Sequence, residues 1–272
     1  MELRELQLKE LEMLKEVLKI TERHNIRCYM LGGTFLGAVR HKGFIPWDDD
    51  VDIGMPREDY EKFAEIAQSE FKSPFRLSSF KTDENHIWFF NHVLNESVTL
   101  VRDDTIEATA VNLWIDVFPL DGMPNNPLAR RAHELRLLFL RLLLQYSKFK
   151  TGVNMKKKRG LIDAILIKLG FVVSKICHFD VKRRLQAIER ALKKYEYDKS
   201  DYVVNFMGAY RFKEMFPRSY YEDSVLYDFE DIKLPAPRAY DKVLSQLYGD
   251  YMTPPEQTER FSHSVKAVEV NE

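Results

Sequence analysis

The sequence predicts an α+β protein, and three observations lead there. Over roughly the first 125 residues, short apolar or polar–apolar stretches of strand length are interleaved with helical patterns. From residue 128 to 195 the pattern is helical almost throughout. The remainder is mixed, a region rich in Tyr and acidic residues followed by one short helical pattern. At 272 residues the chain can bury a sizeable core, and no repeat or low-complexity segment divides it. One domain over 1–272 is expected, with an α/β head over 1–125, a basic helical segment over 126–200 and a segment over 201–272 completing the fold.

Leu3, Leu6, Leu11, Leu14 and Leu18 recur at helical spacing, so the chain opens with an amphipathic helix. Residues 26–31 read as a short apolar strand that Gly32-Gly33 breaks. Thr34 is placed to N-cap a short helix running to about residue 39. Gly43 and Pro46 mark a loop, and residues 50–53 alternate as a half-buried strand does. Pro56 stands where a helix starts, and 58–71 has a helical pattern. Strands are expected at 75–80, 88–93, 99–102 and 111–118. Pro119, Gly122, Pro124 and Pro127 then punctuate the chain. Helices are expected at 128–149, 160–176 and 181–195, and a last one at 240–247 before Gly249 and Pro254-Pro255.

Composition narrows the function classes. A net charge of -1 argues against a nucleic-acid partner. The two cysteines, Cys28 and Cys177, provide neither a disulfide framework nor a Cys-based zinc site, and they fit a reducing compartment. Residues 1–19 mix Glu and Lys with spaced Leu and do not read as a signal peptide. The best apolar runs break at Arg136 and Arg141, or at Asp163 and Lys168, short of the ~18 residues of a membrane span. The expected location is the cytoplasm. The near-neutral total conceals an asymmetry, because residues 130–184 hold fifteen Lys and Arg against three acidic residues. With its run of Leu from Leu137 to Leu144, that segment reads either as a peripheral contact with the anionic inner face of a membrane or as a buried helix pair with a solvated basic face. A dimer interface is a third reading, and the oligomeric state is left open.

The most informative stretch runs from Gly32-Gly33-Thr34 through Arg40 to Trp47-Asp48-Asp49-Asp50-Val51-Asp52. On a strand, residues i and i+2 share a face, so Asp50 and Asp52 are expected side by side. Carboxylates that close raise each other's pKa, and a divalent cation relieves the repulsion. Hard oxygen ligands suit Mg²⁺ or Mn²⁺, which fill the rest of their shell with water and substrate phosphate. Gly32, Gly33 and Thr34 lie between a strand and a helix, where backbone N–H groups face anions, and Arg40 can add a bidentate phosphate contact. An EF-hand fits less well, since Ile53 stands where that loop needs Gly and Asp59 where it needs Glu. Trp47 abuts the carboxylates, and Asp48 and Asp49 fit salt bridges, loop caps or a place at the substrate equally well. His41 and His263 read as structural or surface groups.

The run over residues 32–53 resembles the signature of the LicD family, bacterial phosphocholine transferases of the nucleotidyltransferase fold that are distantly similar to fukutin-related proteins. Trp114-Ile115-Asp116-Val117-Phe118-Pro119-Leu120-Asp121 and Leu247-Tyr248-Gly249-Asp250-Tyr251-Met252 also resemble the family, so the likeness covers about 26–263. It implies a mixed sheet with flanking helices and a mainly helical insertion. It also implies a third carboxylate on a neighbouring strand, which Asp116 matches, with a capping or edge role before Pro119 as its alternative; Asp121 is the fallback, although it reads more readily as a turn residue before Gly122. Asp50, Asp52 and Asp116 are then the expected catalytic metal ligands. The implied donor is CDP-choline, the implied acceptor a sugar hydroxyl of a teichoic acid or another, possibly lipid-linked, cell-surface glycan precursor, and the released product CMP. No Cys cluster matches the zinc site that fukutin-related relatives can carry. Aromatic faces for a choline headgroup are available at Trp47, Trp88, Trp114 and many Tyr. A transferase of the same fold using CDP-ribitol or a nucleoside triphosphate is the first alternative, and a non-catalytic metal-binding scaffold the second.

Overall fold

A computed structural model describes residues 1–102, 109–147 and 180–256 and the backbone of 265–270. The expected helix over 160–176, together with Cys177 and His263, lies outside these residues. The opening helix is present as α1 (Leu3–Arg23), whose Leu6, Leu11, Met13, Leu14, Val17 and Ile20 are buried. A two-residue strand β1 (Tyr29–Met30) leads into α2 (Gly32–His41), then β2 (Asp52–Pro56) and α3 (Arg57–Glu70). Thr34 is not the cap expected of it. Leu31 holds the extended N-cap position, and Thr34 sits inside the first turn.

Next come strands β3 (Phe75–Ser78), β4 (Asn91–Arg102) and β5 (Thr109–Gly122). The two strands expected at 88–93 and 99–102 are one, continuous through a register shift between Asn95 and Thr99 opposite β5. Such a bulge keeps a strand paired while breaking the alternation that sequence reading depends on. Strand β5 continues past Pro119 to Gly122. Its end pairs with β6 (Tyr202–Val204), and β6 pairs with β7 (Met215–Pro217). Among the described residues the main sheet runs β1-β2-β5-β4-β10, with β10 at Val265–Val270 and β3 also on β4. The β2–β5 pair is parallel and the other pairings are antiparallel, which makes the sheet mixed. Helices α1 and α3 pack on it.

The helical segment begins with α4 (Pro127–Ser147) and resumes with α5 (Val181–Leu192), which packs against α4. Leu137, Leu144, Leu185, Ile188 and Leu192 form a second core with Phe80, Phe89 and Phe206. After the short α6 (Ser219–Glu222), the chain returns to the head as the hairpin β8 (Ser224–Phe229) and β9 (Ile232–Pro237), then α7 (Tyr240–Tyr248). Phe229, Leu234, Leu244 and Leu247 enter the main core, and Tyr227 packs edge-on against Phe35 of α2. These strands were hidden in the Tyr- and acid-rich stretch. Pro235 and Pro237 are tolerated because the two-stranded hairpin is all edge.

Asp121, the fallback ligand, has another partner. It is 1% exposed and accepts from Arg57 Nε and Nη2 at 2.7 and 2.8 Å. Removing one member of a buried pair strands the other charge. Asp121→Ala is expected to lower unfolding stability by about 3–5 kcal/mol in urea titration, and Asp121→Leu with Arg57→Met to lower it by less. Equal losses in the single and double variants would show that the pairing contributes nothing specific.

Candidate active site

The acidic loop between α2 and β2 is held by four contacts. Lys42 takes the left-handed conformation that ends α2. Phe44 and Ile45 are buried in the main core. From α1, buried Gln7 donates Nε2 to Asp48 O at 2.8 Å and to Ile45 O at 3.3 Å. Thr34 Oγ1 accepts from Asp52 N at 2.8 Å, so Thr34 secures the strand from behind and does not line the cleft in front.

Strand β2 begins at Asp52, which places Asp50 in the loop before it, where a strand position was expected. The ladder reaches one residue further back, because Asp116 N donates to Val51 O at 2.9 Å. Parallel register sets Asp52 beside Asp116 on the same face of the sheet. Two glycines make room for the acidic row. A Cβ on Gly32 would lie 2.9 Å from Asp52 Oδ2, and one on Gly33 would lie 2.6 Å from Asp48 Oδ2. Gly32 also has φ +47°, which disfavours any L side chain.

The carboxylates line two spaces. Gly32, Gly33, Arg40, Trp47, Asp48, Asp50 and Asp52 line a cleft of about 550 Å³ together with Asn205, Tyr210, Glu214, Tyr248 and Tyr251. Asp49, Asp50 and Asp116 instead line a hollow of about 40 Å³ with Trp114 and Glu10. Asp50 is common to both. Arg40 is fixed by donating Nη1 to Tyr251 O at 2.6 Å, and its guanidinium lies 5.8 Å from the centre of the Trp47 ring. His41 meets Trp47 edge-on, and burial and Arg40 lower its pKa.

Burial first, and then repulsion among neighbouring carboxylates, sets the electrostatics. Burial pushes the Asp52 carboxyl well above its ordinary value, and Asp50, Asp116, Glu214 and Asp48 push it further. Glu10, mid-helix in α1 and 1% exposed, is raised first by burial and then by Asp50, Asp49, Asp48 and Asp116. Among the described residues its Oε2 has no hydrogen-bond partner. Among the described residues no three acidic, His or Cys side chains close into a cage for a metal ion. Mg²⁺ takes one or two carboxylates and completes its octahedron with water and substrate phosphate. A hard-oxygen set in which Asp50 and Asp116 raise the pKa of Asp52 fits that cation.

Several site residues carry no signal in the sequence. His92, on β4 opposite Asp116, places Nε2 3.3 Å from Asp116 Oδ1. Trp88 and Trp114 pack on its ring at 4.9 and 5.8 Å, so neither lines the large cleft. Glu214 is buried, which pushes its carboxyl up to about 7. The only legible hint is the family-like stretch containing Tyr248 and Tyr251. By sequence Glu10 and Gln7 are ordinary polar positions of an amphipathic helix.

Asp52 and Asp116 stand side by side on adjacent strands, and Asp50 and Asp52 border a cleft that also holds Arg40. Residues 25–124 match the family model described as "LicD/FKTN/FKRP, nucleotidyltransferase domain". The chain is 30% identical over 271 residues to the lipopolysaccharide cholinephosphotransferase LicD of Haemophilus influenzae, covering 97% of each chain. It is 44% identical over 48 residues to the human ribitol 5-phosphate transferase FKRP, covering 18% of this chain and 10% of that one. This protein belongs to the LicD family of transferases.

The geometry sets two expectations. Gly32→Ala and Gly33→Ala should each displace a carboxylate and lower turnover at least ~10-fold while the protein stays folded, as steady-state kinetics and circular dichroism would show. Wild-type turnover in both would refute the packing account. The second concerns pH. Glu10 has a folded pKa raised above its ordinary value of 4.5, so its favourable contribution is full below that value and is lost as pH rises through the folded one. In cation-free buffer, Glu10→Gln should match wild type near pH ~4 and exceed it increasingly at higher pH in urea titrations. A constant difference across pH would show that Glu10 is not strained by charge.

Proposed function

We propose that this protein transfers phosphocholine from CDP-choline to a sugar hydroxyl of a cell-surface glycan and releases CMP. The observation that carries the reading is end-to-end similarity to a cholinephosphotransferase, 97% of both chains, in a molecule whose carboxylates converge beside a nucleotide-sized cleft. The fukutin-related match favours ribitol phosphate as the transferred group. It spans only 48 residues, so it supports the shared phosphate chemistry more than the headgroup. The acceptor named for the Haemophilus relative is lipopolysaccharide. A teichoic acid offers the same hydroxyl chemistry.

Asp50, Asp52 and Asp116 would hold Mg²⁺ or Mn²⁺, which when bound neutralises the diphosphate and the departing CMP. The chain's own groups do the rest. Arg40, anchored on Tyr251 and Trp47, orients the diphosphate through N–H groups not used in that anchoring. The acceptor oxygen forms a bond to the choline-bearing phosphorus as the bond to the CMP oxygen breaks. Asp116, with His92 behind it, receives the hydroxyl proton from the side of the small hollow. Trp47 and Asp48 border the donor, and Asp49 faces the hollow with Glu10.

CMP release from CDP-choline, CDP-ribitol and CTP, with Mg²⁺ and a membrane-derived glycan, tests this directly. Choline-dependent release that falls at least ~100-fold in Asp50→Asn is expected. Turnover of CDP-ribitol alone would keep the site and overturn the headgroup.

We also infer that α4 meets an anionic membrane surface. Leu128, Leu135, Phe139 and Leu142 form one exposed apolar stripe, flanked by the exposed Arg131 and Arg136. Among the described residues no helix is long and apolar enough to cross a membrane. Sedimentation with phosphatidylserine vesicles at low salt should retain wild type and lose Leu135→Glu with Phe139→Glu. Equal sedimentation of the two would point to another use of the stripe.

A further inference from the structure

The donor proposed above ends in a quaternary ammonium, which carries a positive charge and no N–H. It cannot be recognised by hydrogen bonds. What recognises it is aromatic faces and a carboxylate. The cleft has one corner of that composition, beside the acidic row.

The corner is built by residues 205–214. The loop folds around the side chain of Glu214, whose Oε2 accepts from Asn205 Nδ2 at 2.8 Å and whose Oε1 accepts from Tyr210 N at 3.1 Å. Asn205 Oδ1 accepts in turn from Gly208 N at 3.2 Å. From α4, Arg141 donates to Phe206 O at 2.5 Å and to Gly208 O at 3.3 Å, bracing the loop from behind. Both hydrogen bonds to Glu214 therefore come from neutral groups, while the nearby guanidinium is directed at carbonyls. With its carboxyl pushed up to about 7, Glu214 carries its negative charge above that pH, and neither hydrogen-bond donor neutralises it.

Two aromatic rings close it. Tyr210 and Tyr248 meet edge to face with centroids 5.4 Å apart. The Tyr248 hydroxyl also lies at the acidic row, 3.8 Å from where a Cβ on Gly32 would stand, and that same Cβ would be 2.9 Å from Asp52 Oδ2. The corner is thus adjacent to the carboxylates at which the diphosphate would be held. Only a two-carbon arm separates the choline nitrogen from its phosphate oxygen, so the headgroup has to be received close to where the diphosphate is held. Arg40, its guanidinium 5.8 Å from the centre of the Trp47 ring, lines the same cleft. A polyol in the corner would need donors and acceptors in pairs. Tyrosine faces and a buried carboxylate favour a cation instead.

We propose that Glu214, Tyr210 and Tyr248 form the pocket that receives the quaternary ammonium of the donor. The inference rests on the phosphocholine reading.

Its test compares CDP-choline with the neutral isostere CDP-3,3-dimethylbutanol, in which carbon replaces the charged nitrogen. Wild type should prefer the charged donor by ~10-fold or more in kcat/KM. In Glu214→Gln and Tyr210→Leu that preference should collapse towards parity. Tyr210 is 38% exposed, so its variant keeps the test open if Glu214→Gln fails to fold. A wild-type preference retained in both folded variants would overturn the pocket and leave the phosphocholine reading intact. If wild type turned over CDP-ribitol and neither of these donors, the reading would fall and the pocket with it.

Discussion

Repulsion among closely set carboxylates is the constraint around which this structure is organised. Burial raises the proton affinity of Asp52 and of Glu10, and the charges of Asp48, Asp50 and Asp116 raise both further. A fold does not assemble such a group without a means of holding it. Here that means is distributed over several elements. The parallel register of β2 and β5 sets Asp52 beside Asp116, Thr34 ties the backbone of Asp52 to α2, and Gln7 ties the acidic loop to α1. The glycine pair at the start of α2 leaves room for two of the carboxylates. The N-terminal end of α2, with its partial positive charge, sits against the same row.

The glycine turn accordingly has a role different from the one its sequence advertises. Gly32-Gly33 between a strand and a helix reads as a phosphate cradle. In the folded chain its immediate neighbours are the protein's own Asp52 and Asp48. The two roles are compatible, since a cation on the carboxylates draws phosphate to the same place. Arg40 remains the side chain best placed to grip that phosphate.

Much of the head was legible because its local and tertiary signals agree. The Leu spacing of α1, the alternation around Asp52 and the strand holding Asp116 are periodic patterns, and the structure has an element at each. What failed had non-local causes. β4 reads as two strands because a bulge breaks its alternation, and β5 runs through Pro119 because Arg57 and β6 hold its end. The hairpin of β8 and β9 was masked by its prolines and acids. Asp50, Asp52 and Asp116 could be chosen from sequence since a long motif surrounds two of them. Glu10, His92 and Glu214 could not, because each becomes part of the site only when elements distant in sequence are packed together.

A divalent cation at the carboxylates is the central claim, and direct binding tests it without reference to turnover. Mn²⁺ titration followed by electron paramagnetic resonance would be run on wild type, Asp52→Asn and Asp116→Asn, with and without CDP-choline. The account requires saturable binding to wild type that tightens when the nucleotide is present and weakens at least ~10-fold in either variant. Binding of equal strength in all three proteins would contradict it.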